Sequence, residues 1–135
     1  ERILCEERII GREITVGILA NEALPIVEVS PKAGAYDYQN KYTVGTTEYF
    51  CPADLSTEQA EAIAKLGLKA FDAVGGRDFG RVDMMLDAEL SPHVLEVNTL
   101  PGLTETSLLP MAALAAGLDF NMLCQRMIEL ALERN

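Results

Sequence analysis

The alternation of apolar and polar positions divides this 135-residue chain into short strands followed by amphipathic helices. Apolar residues recur at every second position over residues 13–19 and 25–29, which predicts two antiparallel strands around a turn at 21–23. Residues 3–7 have the composition of an earlier strand, and residues 46–51 predict a further short one. The first part of the chain is therefore expected to form antiparallel sheet.

Helical spacing of apolar residues appears after this sheet. Ser56 and Gln59 stand in the Ser-x-x-Gln arrangement of a capping box, and apolar residues then recur at helical spacing until Gly75. A second helix is expected over residues 110–117 and a third over residues 120–130. Stripes of this kind usually face a parent sheet. The pattern predicts an α+β fold, mainly antiparallel sheet flanked by helices.

Two apolar runs after the first helix carry polar side chains at matching positions. They predict strands joined by a polar turn centred near residues 89 and 90. Side chains at i and i+2 share a face, so Arg81 lies beside Asp83, and Glu96 lies beside Asn98. A hairpin with this turn sets Asp83 opposite Glu96.

The oxygen-bearing side chains of this hairpin are typical magnesium ligands. Magnesium usually takes one or two carboxylates together with substrate phosphates, which suits Asp83, Glu96 and Asn98. His93, which a regular hairpin places opposite Leu86, has no partner at metal spacing and is assigned no role. The alternative is purely structural: a cross-strand set of ion pairs on the solvent face of a sheet.

Composition excludes some classes of function. The 21 Asp and Glu residues against 11 Lys and Arg give a net charge of −10, which argues against a nucleic-acid surface. No apolar run approaches the roughly 20 residues of a membrane span. Cys5, Cys51 and Cys124 share no metal or redox spacing, which predicts buried free thiols. We therefore expect a cytoplasmic domain with no nucleic-acid or membrane partner.

Longer segments around these strands resemble a known family. GRVDMML, together with HVLEVNTLPGLTETSLLP, is similar to the C-terminal half of the D-alanine:D-alanine ligases, ATP-grasp enzymes of bacterial cell-wall synthesis. LCEERIIGREITVGIL resembles their adenine hinge, and PKAGAYDYQNKYTVGTTEYFCPADL resembles their mobile active-site loop. The resemblance implies that residues 1–135 form the C-terminal ATP-grasp domain, with the N-terminal substrate domain and the ATP-clamping subdomain absent from this sequence.

The resemblance also implies a set of ATP-binding residues. Glu6 and the backbone of Glu7 and Ile9 match the adenine hinge, and Glu13 matches the acid that holds the ribose hydroxyls. Glu7 replaces a lysine that is frequent there. A solvated surface position remains the alternative for Glu6 and Glu13.

In the loop, Lys41 matches a lysine that meets the ATP phosphates when the loop closes. Tyr36 and Tyr42 match tyrosines that seal the site against water. Tyr42 also favours a dipeptide product, because relatives that make D-alanyl-D-lactate differ in this loop. The resemblance thus places Tyr36 and Lys41 at the nucleotide and Tyr42 among the catalytic residues.

The implied reaction is ATP-dependent ligation of two D-alanines through an acyl phosphate. Asp83, Glu96 and Asn98 would hold one or two Mg²⁺ or Mn²⁺ ions at the phosphates. Arg81 would reach the acyl phosphate or the tetrahedral oxyanion, and the Gly102 amide would serve the same oxyanion.

The second D-alanine is expected at the start of the next helix. Ser107 and the amide of Leu108 match the family's clamp on its carboxylate, although Ser107 could equally cap that helix. Glu105 and Thr106 stand where the family usually has a serine and a histidine, so the choice of second substrate is open.

Two alternatives remain for function. Another ATP-grasp carboxylate-amine ligase, such as a D-alanine:D-lactate ligase, would share the metal ligands. A non-catalytic fragment would fold but bind nucleotide weakly, because half a cleft cannot confine a reaction. The resemblance further implies a homodimer in the full-length enzyme.

Overall fold

The computed structural model describes residues 2–31 and 47–133, which form an antiparallel sheet with helices on both faces. Its strands are β1 (Arg12–Leu19), β2 (Glu22–Ala23), β3 (Val27–Pro31), β4 (Thr47–Phe50), β5 (Phe79–Leu86) and β6 (Pro92–Asn98). Its helices are α1 (Thr57–Ala73), α2 (Leu108–Ala115) and α3 (Phe120–Leu132). The strand order is β4-β3-β1-β5-β6, with β2 paired to β1, and all pairings are antiparallel. The predicted α+β architecture is confirmed.

The central strand β1 is buried on both faces, so it contributes to two apolar cores. On one face Ile14, Val16 and Ile18 pack with β5 and with the α1 side chains Ile63 and Phe71. On the other face, Leu19 and neighbouring residues pack against α2 and α3. Strand alternation alone therefore distributes the core between α1 on one side and the α2–α3 pair on the other.

Helix α1 begins and ends where its local sequence signals predict. The Gln59 amide donates to Ser56 Oγ at 3.2 Å, and the Ser56 amide donates to Gln59 Oε1 at 3.0 Å, which completes the capping box. Gly75 follows the helix with a positive φ of 71°, a conformation that glycine adopts without a Cβ penalty.

Three local predictions are corrected by the structure. Residues 3–7 form no strand: residues 2–10 have no regular secondary structure, and Ile3 and Leu4 are 90% and 80% exposed. The first turn uses Ala20 and Asn21, both at positive φ, whereas residues 22–23 already pair with β1. Helix α2 begins at Leu108, two residues before Pro110. Proline is tolerated there because the N–H groups in the first turn of a helix have no intrahelical acceptor, so the missing proline N–H removes no hydrogen bond.

The three cysteines are free, as expected, but they are not buried. Cys5 is exposed and Cys51 and Cys124 are partly buried, and burial raises the pKa of the Cys51 thiol. No single helix in the described ranges is long and apolar enough to cross a membrane. Helices α2 and α3 taken together have the length and composition of a span, but the chain bends by 102° between them.

Candidate active site

The β5–β6 hairpin brings the predicted polar residues together. Arg81 lies opposite Asn98, and Asp83 lies opposite Glu96, which confirms the register expected from the sequence. All four side chains share the sheet face that carries α2, because Asp83 also lies opposite Thr15 of β1. The hairpin therefore assembles one cation and three oxygen-bearing groups beside helix α2.

A dense hydrogen-bond network joins these four side chains. Arg81 Nε and Nη2 donate to Asp83 Oδ1 and Oδ2 at 2.7 and 2.8 Å, a bidentate pair whose side chains are only 13% and 12% exposed. Asn98 Nδ2 donates to Asp83 Oδ2 at 3.0 Å and to Glu96 Oε1 at 3.2 Å. The ion pair offered as the structural alternative is thus present in the same residues that form the candidate site.

The chemistry of this donor set fits a divalent cation. The Asn98 NH₂ group bridges two carboxylates, and that position, where positive charge is already favoured, is where a cation would gain both Asp83 and Glu96 as ligands. Rotation of the Asn98 amide would present its oxygen instead. No group of three or more His, Cys, Asp or Glu side chains within the described residues is arranged to hold a metal. Two carboxylates and one amide match magnesium, which completes its shell with water and phosphate oxygens.

A β-bulge in β6 changes the residue pairing in the half of the hairpin nearer the β5–β6 turn. Asp83 pairs with Glu96, but the next residue Met84 pairs with Val94, so Leu95 is the extra residue on β6. The bulge moves His93 opposite Met85, and its predicted position opposite Leu86 is wrong.

His93 has a structural role in the β5–β6 turn. Its Nε2 atom lies 2.9 Å from Asp87 Oδ2, while Asp87 Oδ1 accepts the amides of Glu89 and Ser91 at 3.0 and 2.8 Å. These hydrogen bonds, led by the one from His93, hold the pKa of Asp87 below its usual value. These contacts hold the turn at the end of the hairpin that lies away from Asp83 and Glu96.

The segment after β6 forms a hydroxyl-rich loop at the start of α2. Ser107 occupies the N-cap position, but its side chain makes no cap hydrogen bond, so the capping role considered for it is not observed. Its Oγ instead accepts the Thr104 amide at 3.1 Å and lies 2.8 Å from Thr104 Oγ1. A Cβ on Gly102 would come within 2.9 Å of Ser107 Oγ, so a larger residue at this position would require the Ser107 hydroxyl to shift. Leu108 is the first residue of α2, which puts its amide among the orphan N–H groups of a helix N-terminus.

A groove of about 540 Å³ lies at the other end of this sheet face and is lined by residues that include Ile9, Glu13 and Met85. Glu13 pairs with Met85 and precedes Thr15 by two positions, so its side chain is on the same face as Asp83. Diagonal neighbours of this kind are roughly 7–8 Å apart. The predicted ribose and metal residues are therefore adjacent on one surface.

The other residues predicted to bind the nucleotide do not line this groove or lie outside the described residues. Glu6 and Glu7 are exposed and do not line the groove. Tyr36, Lys41 and Tyr42 lie outside the described residues, as does most of the predicted active-site loop.

Two threonines next to the site had been missed in the sequence. Thr104 holds the Ser107 hydroxyl. Thr15, 2% exposed, stands opposite Asp83. A usable signal existed for Thr15: it is a lone hydroxyl in the apolar run ITVGIL, and its parity with Glu13 assigns its face.

The chain is an α+β domain in which an antiparallel sheet carries a carboxylate-rich hairpin beside a helix N-terminus. Comparisons with known proteins specify its family. The model of the family described as D-ala D-ala ligase C-terminus matches residues 1–129. The chain therefore belongs to the D-alanine–D-alanine ligase C-terminal family.

Individual relatives agree with this assignment. A D-alanine–D-alanine ligase of Methylacidiphilum infernorum is 51% identical over 129 residues, which are 96% of this chain and 43% of the relative. The crystal structure of the Bacillus anthracis D-alanine–D-alanine ligase complexed with ATP matches with a TM-score of 0.80 and 38% identity, over 95% of this chain and 42% of that one. The VanG D-Ala:D-Ser ligase of Enterococcus faecalis matches with a TM-score of 0.78 and 29% identity, over 92% of this chain and 37% of that one. The chain thus spans less than half the length of each of these proteins.

Proposed function

We propose that this chain supplies the ATP, divalent-cation and second-substrate sites of an enzyme that joins two D-alanines in an ATP-dependent reaction. The carboxylate of the first D-alanine attacks the γ-phosphorus of ATP and ADP leaves, which gives a D-alanyl acyl phosphate. The amine of the second D-alanine then attacks the acyl carbon, and inorganic phosphate leaves as the peptide bond forms. Its product, D-alanyl-D-alanine, serves peptidoglycan precursor synthesis in the cytoplasm. The chain spans 43% of the Methylacidiphilum relative, and we expect the separate chain to be inactive because part of a cleft cannot confine a reaction.

The observation that carries this proposal is the convergence of Asp83, Glu96 and Asn98 around one point. A phosphoryl-transfer site needs neutralisation of phosphate charge more than covalent help. Mg²⁺ or Mn²⁺, as one or two ions, supplies that neutralisation when bound. In a chain with net charge −10, such a site has to be built locally. The Asp83–Glu96 register is a local construction of that kind.

The chain's own residues divide the remaining work. Arg81 holds a planar cation on the metal-ligand face, where it can turn from Asp83 toward the acyl phosphate and then toward the tetrahedral oxyanion. The Gly102 amide donates to the same oxyanion. Ser107 and the Leu108 amide hold the carboxylate of the second D-alanine at the N-terminus of α2.

The nucleotide lies along the groove that leads to Asp83. Ile9 and Glu13 line this groove, where the Ile9 backbone would contact adenine and Glu13 would accept the ribose hydroxyls. Glu6 and the backbone of Glu7, which lie outside the groove, would contact adenine from the adjoining segment. The diagonal arrangement of Glu13 and Asp83 supports this direction, because ribose and phosphates then follow adjacent positions on one sheet face. Lys41, Tyr36 and Tyr42 would close over the phosphates and exclude water.

The nature of the second substrate is the finer part of the proposal. D-alanine is favoured because the 51% identical relative is a D-alanine–D-alanine ligase. The D-Ala:D-Ser ligase has the same fold, so the fold does not discriminate between second substrates. Glu105 and Thr106, exposed beside Ser107, stand where a second substrate would be selected.

Phosphate release from ATP tests the function. The chain joined to the N-terminal part of the Methylacidiphilum relative should release phosphate in the presence of D-alanine and Mg²⁺, and the separate chain should not. Asp83→Asn and Glu96→Gln should each reduce this release by at least about 100-fold, because each removes a charged ligand.

Glu61→Gln is the matched control for loss of one negative charge. Glu61 is exposed on α1, across the sheet from Asp83, and its substitution should leave the rate unchanged. A rate insensitive to both ligand substitutions would refute the metal site. D-serine or D-lactate consumed in preference to D-alanine would keep the site but change the proposed product.

A further inference from the structure

Thr15 is a buried polar residue with an unused hydrogen-bonding group next to the candidate metal ligands. The residue is 2% exposed, and its Oγ1 atom has no hydrogen-bond partner in the described part of the chain. A buried hydroxyl in this condition destabilises the fold relative to valine of the same shape, so its presence calls for an explanation.

The surroundings of Thr15 point to Asp83 as the intended partner. On the same sheet face, Thr15 has Val27 on one side, across β3, and Asp83 on the other, across β5. Directly opposed Cβ atoms lie about 5 Å apart, within reach of a hydroxyl–carboxylate hydrogen bond after a change of rotamer. Val27 offers no polar atom. Asp83 offers two oxygens and is only 8% exposed.

In the present arrangement, three N–H groups occupy the Asp83 carboxylate. Two come from Arg81 and one from Asn98. A divalent cation on Asp83 would repel the guanidinium and require the Asn98 amide to turn its oxygen inward. At least one carboxylate oxygen would then lose its donors while remaining buried, and an unpaired buried carboxylate oxygen is costly.

We propose that Thr15 is a positioning residue for Asp83, whose hydroxyl donates to the carboxylate when Arg81 is displaced by a cation. The hydrogen bond would satisfy both groups and would hold the carboxylate so that its other oxygen faces the ion. Such outer partners of metal ligands commonly change metal affinity by about 10–100-fold. This proposal rests on the proposed cation site and adds to it a residue that contacts neither metal nor substrate.

Binding of Mn²⁺, without nucleotide, tests the role of Thr15 independently of catalysis. Free Mn²⁺ would be measured by electron paramagnetic resonance with a chimaera in which the chain is joined to the N-terminal part of the Methylacidiphilum relative. Thr15→Val should weaken Mn²⁺ binding by about tenfold without lowering the Tm of the cation-free protein. Thr15→Ser, which keeps the hydroxyl, should restore most of the affinity.

Thr47→Val is the matched control. Thr47 Oγ1 is likewise buried without a partner among described residues, but Thr47 lies on β4, three strands and roughly 14 Å from β5. Its substitution should leave the Mn²⁺ affinity unchanged.

The outcomes separate the two proposals. Equal Mn²⁺ affinity in Thr15→Val and the unsubstituted protein, with Asp83→Asn strongly weakened, would overturn the role of Thr15 and leave the cation site standing. Failure of serine to restore affinity would also overturn it, because a shape effect would then explain the loss. Mn²⁺ binding that is absent, or untouched by Asp83→Asn, would overturn both proposals.

Discussion

Removing Arg81 from its ion pair with Asp83 should lower the free energy of unfolding, and a bound divalent cation should restore part of that loss. Arg81→Met removes a guanidinium that donates two hydrogen bonds, at 2.7 and 2.8 Å, to Asp83, whose side chain is 12% exposed. Breaking a buried pair by removing one partner costs about 3–5 kcal/mol. The lower end applies here, because Asn98 still donates to Asp83 at 3.0 Å. We expect a loss of about 3 kcal/mol.

That free energy converts into a measurable change of Tm. An unfolding entropy of ~2.1 cal/mol/K per residue amounts to about 0.28 kcal/mol/K for 135 residues. A loss of about 3 kcal/mol then lowers Tm by about 10 °C. Saturating Mn²⁺ should return at least about half of this decrease, because the cation replaces the positive charge beside Asp83.

Arg12→Met provides the matched control for this measurement. Arg12 donates to both oxygens of Glu28, at 2.9 and 2.6 Å, and that hydrogen-bonded carboxylate raises the pKa of Arg12. The pair lies on the α1 face, since Arg12 is opposite the core residue Leu86. Calorimetry with and without Mn²⁺ should show destabilisation of both variants but preferential recovery of Arg81→Met. Equal recovery, or a Tm decrease below about 3 °C for Arg81→Met, would refute the reasoning.

Two further predictions concern the surrounding fold. Because the pKa of Asp87 is lowered, its stabilising contribution is complete above the ordinary Asp pKa of ~3.9 and is lost as the pH falls through the lowered value. Asp87→Asn should therefore make Tm depend less steeply on pH in the acid range. An unchanged pH dependence of Tm there would contradict this. A Cβ at Gly80 would overlap the buried Phe71 ring, so Gly80→Ala should cost about 2 kcal/mol by urea unfolding. Adding Phe71→Leu should cost less than the separate losses combined, whereas strict additivity would argue against the overlap.

The Asp83–Glu96 pair shows how much the sequence determined. Side-chain parity within a strand is local and has period 2, so the face shared by Arg81 with Asp83, and by Glu96 with Asn98, follows from spacing. A short polar turn then limits the register of the two strands, and the structure has the predicted pairing. The capping box at Ser56 is equally local and was equally predictable.

In the half of the same hairpin nearer the turn, the residue pairing was decided by tertiary structure. The bulge at Leu95 places His93 opposite Met85 and not opposite Leu86, and β6 contains no turn or glycine signal that predicts a bulge. Residues 3–7 have strand composition, but a strand exists only when another strand takes its hydrogen bonds, and none does so here within the described residues. Pairing between distant segments is a property of the assembled sheet, so local pattern could not predict either result.

The state of the site's polar groups likewise appears only after folding. The sequence supplied Arg81, Asp83 and Asn98 as separate candidates, whereas the structure shows the arginine and the amide both donating to the one carboxylate. Thr15 acquires its significance in the same way, because β1 must lie next to β5 before its hydroxyl can face Asp83. Residue chemistry and spacing therefore determined which groups could form the site, and the order of strands in the sheet decided which of them meet.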